Sequence, residues 1–132
     1  MLALCIGVVI GLQAPTPERP PIPEMEHFLQ YRADYEHVVE LAKNDQLRRA
    51  GPDCPAGYQP PRVYEHVSAA RCMFLNQDLE HGLRVEFTPL DGSGYHDVTY
   101  VEIDEGSNPC GYKSHVEQKI DDHWYVCEEE WL

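Results

Sequence analysis

Seven histidines, 23 acidic side chains and five cysteines are the residues of this chain with chemistry to offer. Paired helical metal ligands must share a face, as the i, i+4 histidines of H-E-x-x-H do. His27 and His37 are ten residues apart, roughly 80° around a helix at 3.6 residues per turn, and do not face one site. His115 and His123 flank a C-terminal hairpin where Glu117 comes within approach. Spacing supports nothing more, so the histidines are expected as solvent-exposed polar residues, with no metal and no cofactor. Imidazoles charge in mildly acidic surroundings, which would reduce the net charge of the chain.

The carboxylates carry no catalytic signature either. Glu36 and Glu40 share a helix face, and Glu128-Glu129-Glu130 makes an acidic end. An acid and a base at one site need settings that split their pKa values, and nothing in the pattern supplies one. "DGSGYHD" at 91–97 superficially resembles a calcium loop, but Tyr95 and His96 stand where an EF-hand needs an oxygen ligand and a glycine. A hairpin connection is expected there. None of the four serines (Ser68, Ser93, Ser107, Ser114) sits in a G-x-S-x-G elbow, and no glycine-rich loop precedes a helix. Catalytic residues are therefore not assigned.

Cys5 lies in an apolar stretch, leaving Cys54, Cys72, Cys110 and Cys127 in the body of the chain. Their spacings fit neither a zinc knuckle nor a redox pair. An even count in a small exported domain points to two disulfides, with three possible connectivities. Loop length favours Cys54–Cys72 with Cys110–Cys127, and four free buried thiols in a cytosolic protein are the alternative. The cysteine in "GPDCPAGY" reads as oxidised rather than nucleophilic.

Against 23 acidic residues stand only 10 basic ones, a formal charge of −13. Phosphate backbones are bound through Lys and Arg, so nucleic acid is excluded, and anionic membrane surfaces repel the domain. The only adjacent basic pair, Arg48-Arg49, is expected at a helix end. The apolar share of 42% and the length of 132 residues suit one globular domain.

Residues 1–12 are almost wholly apolar, about 18 Å as a helix, too short to cross a bilayer core of about 30 Å. They are expected to act as a signal or as a signal-anchor, a membrane tether whose span continues upstream; a buried core element is the alternative. No Lys or Arg precedes the run, and cleavage after Ala14 would leave Pro15 next. Residues 13–23, "QAPTPERPPIP", read as a stiff extended linker.

Residues 24–132 are expected as a single α+β domain. Phe28, Tyr31, Tyr35, Val38 and Ala42 recur at steps of three and four, with Leu29, Val39 and Leu41 widening the stripe, which predicts one amphipathic helix over 24–50 stopped by Gly51-Pro52. "RVYEHV", "ARCMFL", the alternation of Leu83, Val85 and Phe87, "DVTYVEI", "KSHVEQKI" and "HWYVCEEEW" predict strands. The expected architecture is that helix on one face of an antiparallel sheet of five or six strands. Trp124, Tyr125 and Trp131 either pack over the sheet or form an aromatic patch for a partner.

The helix "FLQYRADYEHVVELAKND", a following sheet and the closing "DDHWYV" strand resemble the layout of small bacterial exported proteins and lipoproteins, over residues 28–127. The resemblance implies an extracytoplasmic location and carries no activity, so it transfers no site residue. At Leu4-Cys5 the chain departs from the lipoprotein members, lacking the small residue that precedes a lipid-modified cysteine. The functional expectation is an extracytoplasmic, non-catalytic domain binding a protein or small-molecule partner. The alternative is a small hydrolase-type enzyme built from the scattered histidines and carboxylates.

Overall fold

In the computed structural model, described over residues 22–88, 96–104 and 108–130, two helices pack on one face of an antiparallel sheet. The apolar opening at 1–12, most of the proline-rich stretch, residues 91–95 of "DGSGYHD" and Trp131 lie outside the described residues. Among the described residues no helix is long and apolar enough to cross a membrane.

The predicted single helix is two. Helix α1 (Pro23–Gln30) begins on a proline with Glu24 and Glu26 in its first turn, which complements the positive helix end. The chain breaks at Tyr31 (φ −114°, ψ 26°) and resumes as α2 (Arg32–Lys43). At the break Tyr31 turns outward, its ring 4.7 Å from that of His27 and 4.9 Å from that of His66. Leu29 is exposed as well, so the buried stripe is narrower than predicted: Phe28, Tyr35, Val38, Val39 and Ala42.

Helix α2 stops at Lys43, well before Gly51. Asp45 takes a left-handed conformation (φ 54°), its N–H donating to Ala42 O and the Gln46 N–H to Leu41 O. These two bonds close the last turn as a Schellman motif, which short polar residues such as Asp tolerate. Arg48-Arg49, expected at a helix end, instead forms a strand.

Seven strands make the sheet, one more than the upper expectation: β1 (Arg48–Arg49), β2 (Tyr58–Gln59), β3 (Met73–Asp78), β4 (Gly82–Phe87), β5 (His96–Val101), β6 (Ser114–Lys119) and β7 (Trp124–Glu129). Their order is β1-β2-β3-β4-β5-β7-β6, antiparallel at every pairing. The surplus comes from β1 and β2, two residues each and too short to show a period. "RVYEHV" is not a strand but a 3-10 segment, Arg62–Val67. Pro60-Pro61 leads the chain into it, the Tyr64 N–H donates to Pro61 O, and Val67 is delivered fully buried while Val63 faces solvent. A second 3-10 turn, Ala69–Arg71, precedes β3.

Strand β4 alternates as its sequence predicts: Leu83, Val85 and Phe87 are buried beneath the helices. They meet Phe28, Tyr35, Val38, Val67, Met73, Val98 and Trp124 in one cluster. Its aromatic members interlock, with ring centroids 4.6 Å apart for Phe28–Trp124 and 4.9 Å for Tyr35–Phe87, in the tilted and edge-to-face arrangements that aromatic quadrupoles favour. The opposite face carries a smaller cluster of Val101, Cys110, Tyr125 and Cys127.

Candidate functional site

At the β1–β2 edge, the two short strands and the 3-10 segments enclose a cavity of about 640 Å³, lined by Gln46, Arg48, Gln59, Pro60, Pro61, Arg62 and Arg71. Three of the ten cations in a chain of charge −13 thus line one space, with two amides and no carboxylate. Arg71 is half-buried and Arg48 and Arg62 are exposed, while the other half-buried cations among the described residues have acids beside them. Arg84 lies 3.3 Å from Asp78 and 3.2 Å from Glu86, and Arg32 bonds Asp121 and Glu36. Within the described residues no ion pair engages Arg48, Arg62 or Arg71.

Arg71 is the member the fold holds most firmly. Ala70 (φ 55°) and Arg71 (φ 51°) are consecutive left-handed non-glycine residues, a conformation costing roughly 1–2 kcal/mol per residue. The turn is pinned on both sides. Ser68 Oγ donates to Cys72 O and accepts from the Thr88 N–H at 2.6 Å, and Cys72 is bonded to Cys54. Gly57 is packed so closely on that disulfide that any Cβ there would collide with Cys54 Sγ. Arg71 Nη2 donates to Pro60 O at 3.0 Å, while its buried Nε–H has no acceptor among the described residues. A buried donor left unpaired is costly in a folded protein, and persistent strain beside it is a pattern of binding sites.

A smaller cavity of about 380 Å³ lies between α2 and the β6–β7 turn, lined by Arg32, Glu36, Lys43, Tyr100, Asp121 and His123 among others. Its charges compensate one another. Burial pulls the Asp121 carboxyl upward, but the His123 N–H and the Arg32 guanidinium hold it below its ordinary range. Lys43 is raised, first by its contact with the Tyr100 hydroxyl.

The residues singled out in the sequence fall as follows. Cys54 bonds Cys72, and Cys110 bonds Cys127. The pairs are compatible with an oxidising, extracellular setting. Trp124 and Tyr125 are 3% and 4% exposed, Trp124 under the helices and Tyr125 on the opposite face, so neither presents a ring to a partner. Of the histidines, His37 and His123 are exposed as expected, whereas His81 is buried and His27, His66, His96 and His115 are half-buried. His81 is buried beside Asp78, His66 lies 2.7 Å from Asp34, and His27 Nδ1 pairs with the Tyr35 hydroxyl. Burial, and then the charge of His66, lowers the His27 pKa. His123 Nδ1–H donates to Val101 O, while His115 does come near Glu117, at 3.8 Å.

On the sheet face away from the helices, Arg84, Glu86, Asp97 and Thr99 lie on β4 and β5, with Glu86 opposite Thr99. Burial pushes the Asp97 carboxyl up to about 7 against the Thr99 hydroxyl bond, and the charges of Glu86 and Glu129 add to the rise. Burial likewise raises Glu86, opposed by Arg84. Such perturbed carboxyls are candidates for acid–base chemistry, but neither cavity includes them.

The arginine cavity had no signal in the sequence. Its members are spread from Gln46 to Arg71, and only the fold brings them together. No family model, known protein or solved structure matches the chain.

Proposed function

We propose that this protein is an extracytoplasmic, non-catalytic binding domain whose arginine cavity takes a small anionic ligand carrying a carboxylate, phosphate or sulfate group. One observation carries the reading: three arginines line one cavity with no carboxylate among its lining residues, in a protein that has more than two acids for every base. A guanidinium is a planar fork of donors that matches two oxygens of such a group, and its charge cannot be titrated away. Gln46 and Gln59 add neutral donors, and Pro60 and Pro61 offer an apolar wall to the rest of the ligand. The overall −13 charge repels anions at long range, so discrimination is expected from close geometry rather than from electrostatic steering.

Titration of the oxidised protein with phosphate, sulfate and succinate, followed by calorimetry at low ionic strength, tests this. Saturable binding is expected, weakened about tenfold, or 1.4 kcal/mol, by Arg71→Lys, which keeps the charge and loses the fork. No binding by any of the three anions, or binding indifferent to Arg71, Arg62 and Arg48, removes the reading. The extracytoplasmic location is supported by the two disulfides and the apolar, proline-rich opening. Residues 1–23 with any upstream in-frame codons, fused to a reporter active only outside the cytoplasm, should yield activity. A silent reporter with the fusion retained in the cytosol defeats that part.

A further inference from the structure

We infer that the β5–β7–β6 end of the sheet holds a divalent transition-metal site built on His96, Glu117 and Glu128, with His115 beside them and Zn²⁺ the cation its chemistry fits best. His96, Glu128 and His115 form one cross-strand row, His96 opposite Glu128 on β5–β7 and His115 opposite Glu128 on β6–β7. The row continues the alternation of Trp124 and Val126, so it lies on the helix-bearing face, beyond the apolar core. Glu117 joins it because a register irregularity between Val116 and Gln118 re-aims one side chain of β6. One ring nitrogen of His96 and one oxygen each of Glu117 and Glu128 all lie within 4.8 Å of one another. His115 Nε2 is 3.5 Å from Glu128 Oε2 and 3.8 Å from Glu117 Oε2, and His96 Nε2 is 3.7 Å from Glu128 Oε2.

These separations are too long for good hydrogen bonds, which cluster near 2.9 Å. They approach the edge of a tetrahedron of ligands, about 3.3–3.4 Å when each metal–ligand bond is about 2.0–2.1 Å. An outer partner is also in place. Glu130 Oε1 lies 3.3 Å from His115 Nδ1, so it can accept that N–H and leave Nε2 for the metal, the carboxylate–histidine–metal arrangement of many such sites. Three carboxylates around two imidazoles supply the negative charge that a dication neutralises. Two nitrogen donors disfavour Ca²⁺ and Mg²⁺, which take oxygen ligands. The row sits at the β6 edge, and the arginine cavity at the β1 edge, so the two sites are separable.

The test uses the full oxidised chain, freed of metal with a chelator and then titrated with Zn²⁺ by calorimetry and with Co²⁺ by visible absorption. One Zn²⁺ per chain is expected, with the intense visible bands of four-coordinate Co²⁺. His96→Ala and Glu128→Gln should each lower the Zn²⁺ affinity at least 100-fold. Glu130→Gln should lower it about 10- to 100-fold, as loss of an outer partner does. His123→Ala, on the neighbouring turn and outside the row, should change nothing. Near-ultraviolet circular dichroism of each variant confirms that the fold survives. Absence of Zn²⁺ binding, which would leave the row as histidine–carboxylate ion pairs only, overturns the inference. So does a His123→Ala loss equal to that of His96→Ala, or a preference for Ca²⁺ over Zn²⁺.

Discussion

The Thr99 hydroxyl donates a hydrogen bond of 2.6 Å to the Asp97 carboxylate, two residues away on the sheet face opposite the helices. That bond favours the charged carboxylate, yet burial outweighs it and Asp97 titrates at about 7. An acid whose folded pKa lies above its unfolded value near 3.9 binds its proton more tightly in the folded state. Its stabilising effect is complete below about pH 4 and is lost as pH rises through about 7. The shift sets a ceiling of about 4 kcal/mol at 1.36 kcal/mol per unit. Asp97→Asn should therefore flatten the stability profile between about pH 4 and pH 7, measured by urea unfolding in chelator. Equal slopes for the variant and the wild type would show that Asp97 does not titrate in that window.

Helix α2 tests the core directly. Val38 is fully buried in the cluster that contains Val85 and Phe87, whereas the adjacent His37 is exposed, its ring 4.9 Å from that of Tyr64. Val38→Asp places an unpaired charge in the apolar cluster and should cost at least about 3 kcal/mol, enough to unfold a marginal domain. His37→Asp should cost less than about 1 kcal/mol. Melting curves followed by circular dichroism decide between them, and matching midpoints would mean that this stripe is not the buried one.

Legibility in the sequence followed the reach of the interactions. Leu83, Val85 and Phe87 advertise β4 because a strand with one buried face alternates regardless of its partners. The stripe of Tyr35, Val38 and Ala42 is legible for the same local reason. The break at Tyr31 is not, because an aromatic at a core spacing looks internal until His27 and His66 are seen to hold it outside. "RVYEHV" misleads because a six-residue segment with valines at its second and last positions suits either period, and the preceding prolines decide it. The sites are harder still. Arg48, Arg62 and Arg71 are more than eight residues apart along the chain, and His96 and His115 meet through strand register rather than through spacing.

The disulfides should separate stability from binding. The bridges span 18 and 17 residues of sequence, so loop entropy assigns each about 3 kcal/mol. Replacing Cys54 and Cys72 by serine should cost about that much and also weaken anion binding, because Cys72 anchors the turn that presents Arg71. Replacing Cys110 and Cys127 should cost a similar amount, while the affinity of the arginine cavity is unchanged at temperatures where the variant is folded. Equal losses of anion affinity in the two variants would show that the Cys54–Cys72 bridge has no special part in shaping the cavity.

Ala70 and Arg71 make the sharpest comparison, since both hold left-handed backbone at 55° and 51°. Glycine adopts that conformation freely but loses more chain entropy on folding. Ala70→Gly should therefore gain about 0.5–1 kcal/mol net, with anion affinity intact. Arg71→Gly relieves the same conformational cost and gives up the hydrogen bond to Pro60 O, so its stability should stay within about 1 kcal/mol of wild type. Its anion binding should be lost. A residue kept for structure behaves otherwise: its replacement unfolds the turn whatever ligand is present. Denaturant unfolding and phosphate titration of the two variants, run side by side, distinguish these cases. Should Arg71→Gly lose several kcal/mol while Ala70→Gly gains, Arg71 is a structural clamp on Pro60 and the cavity loses its principal binding group.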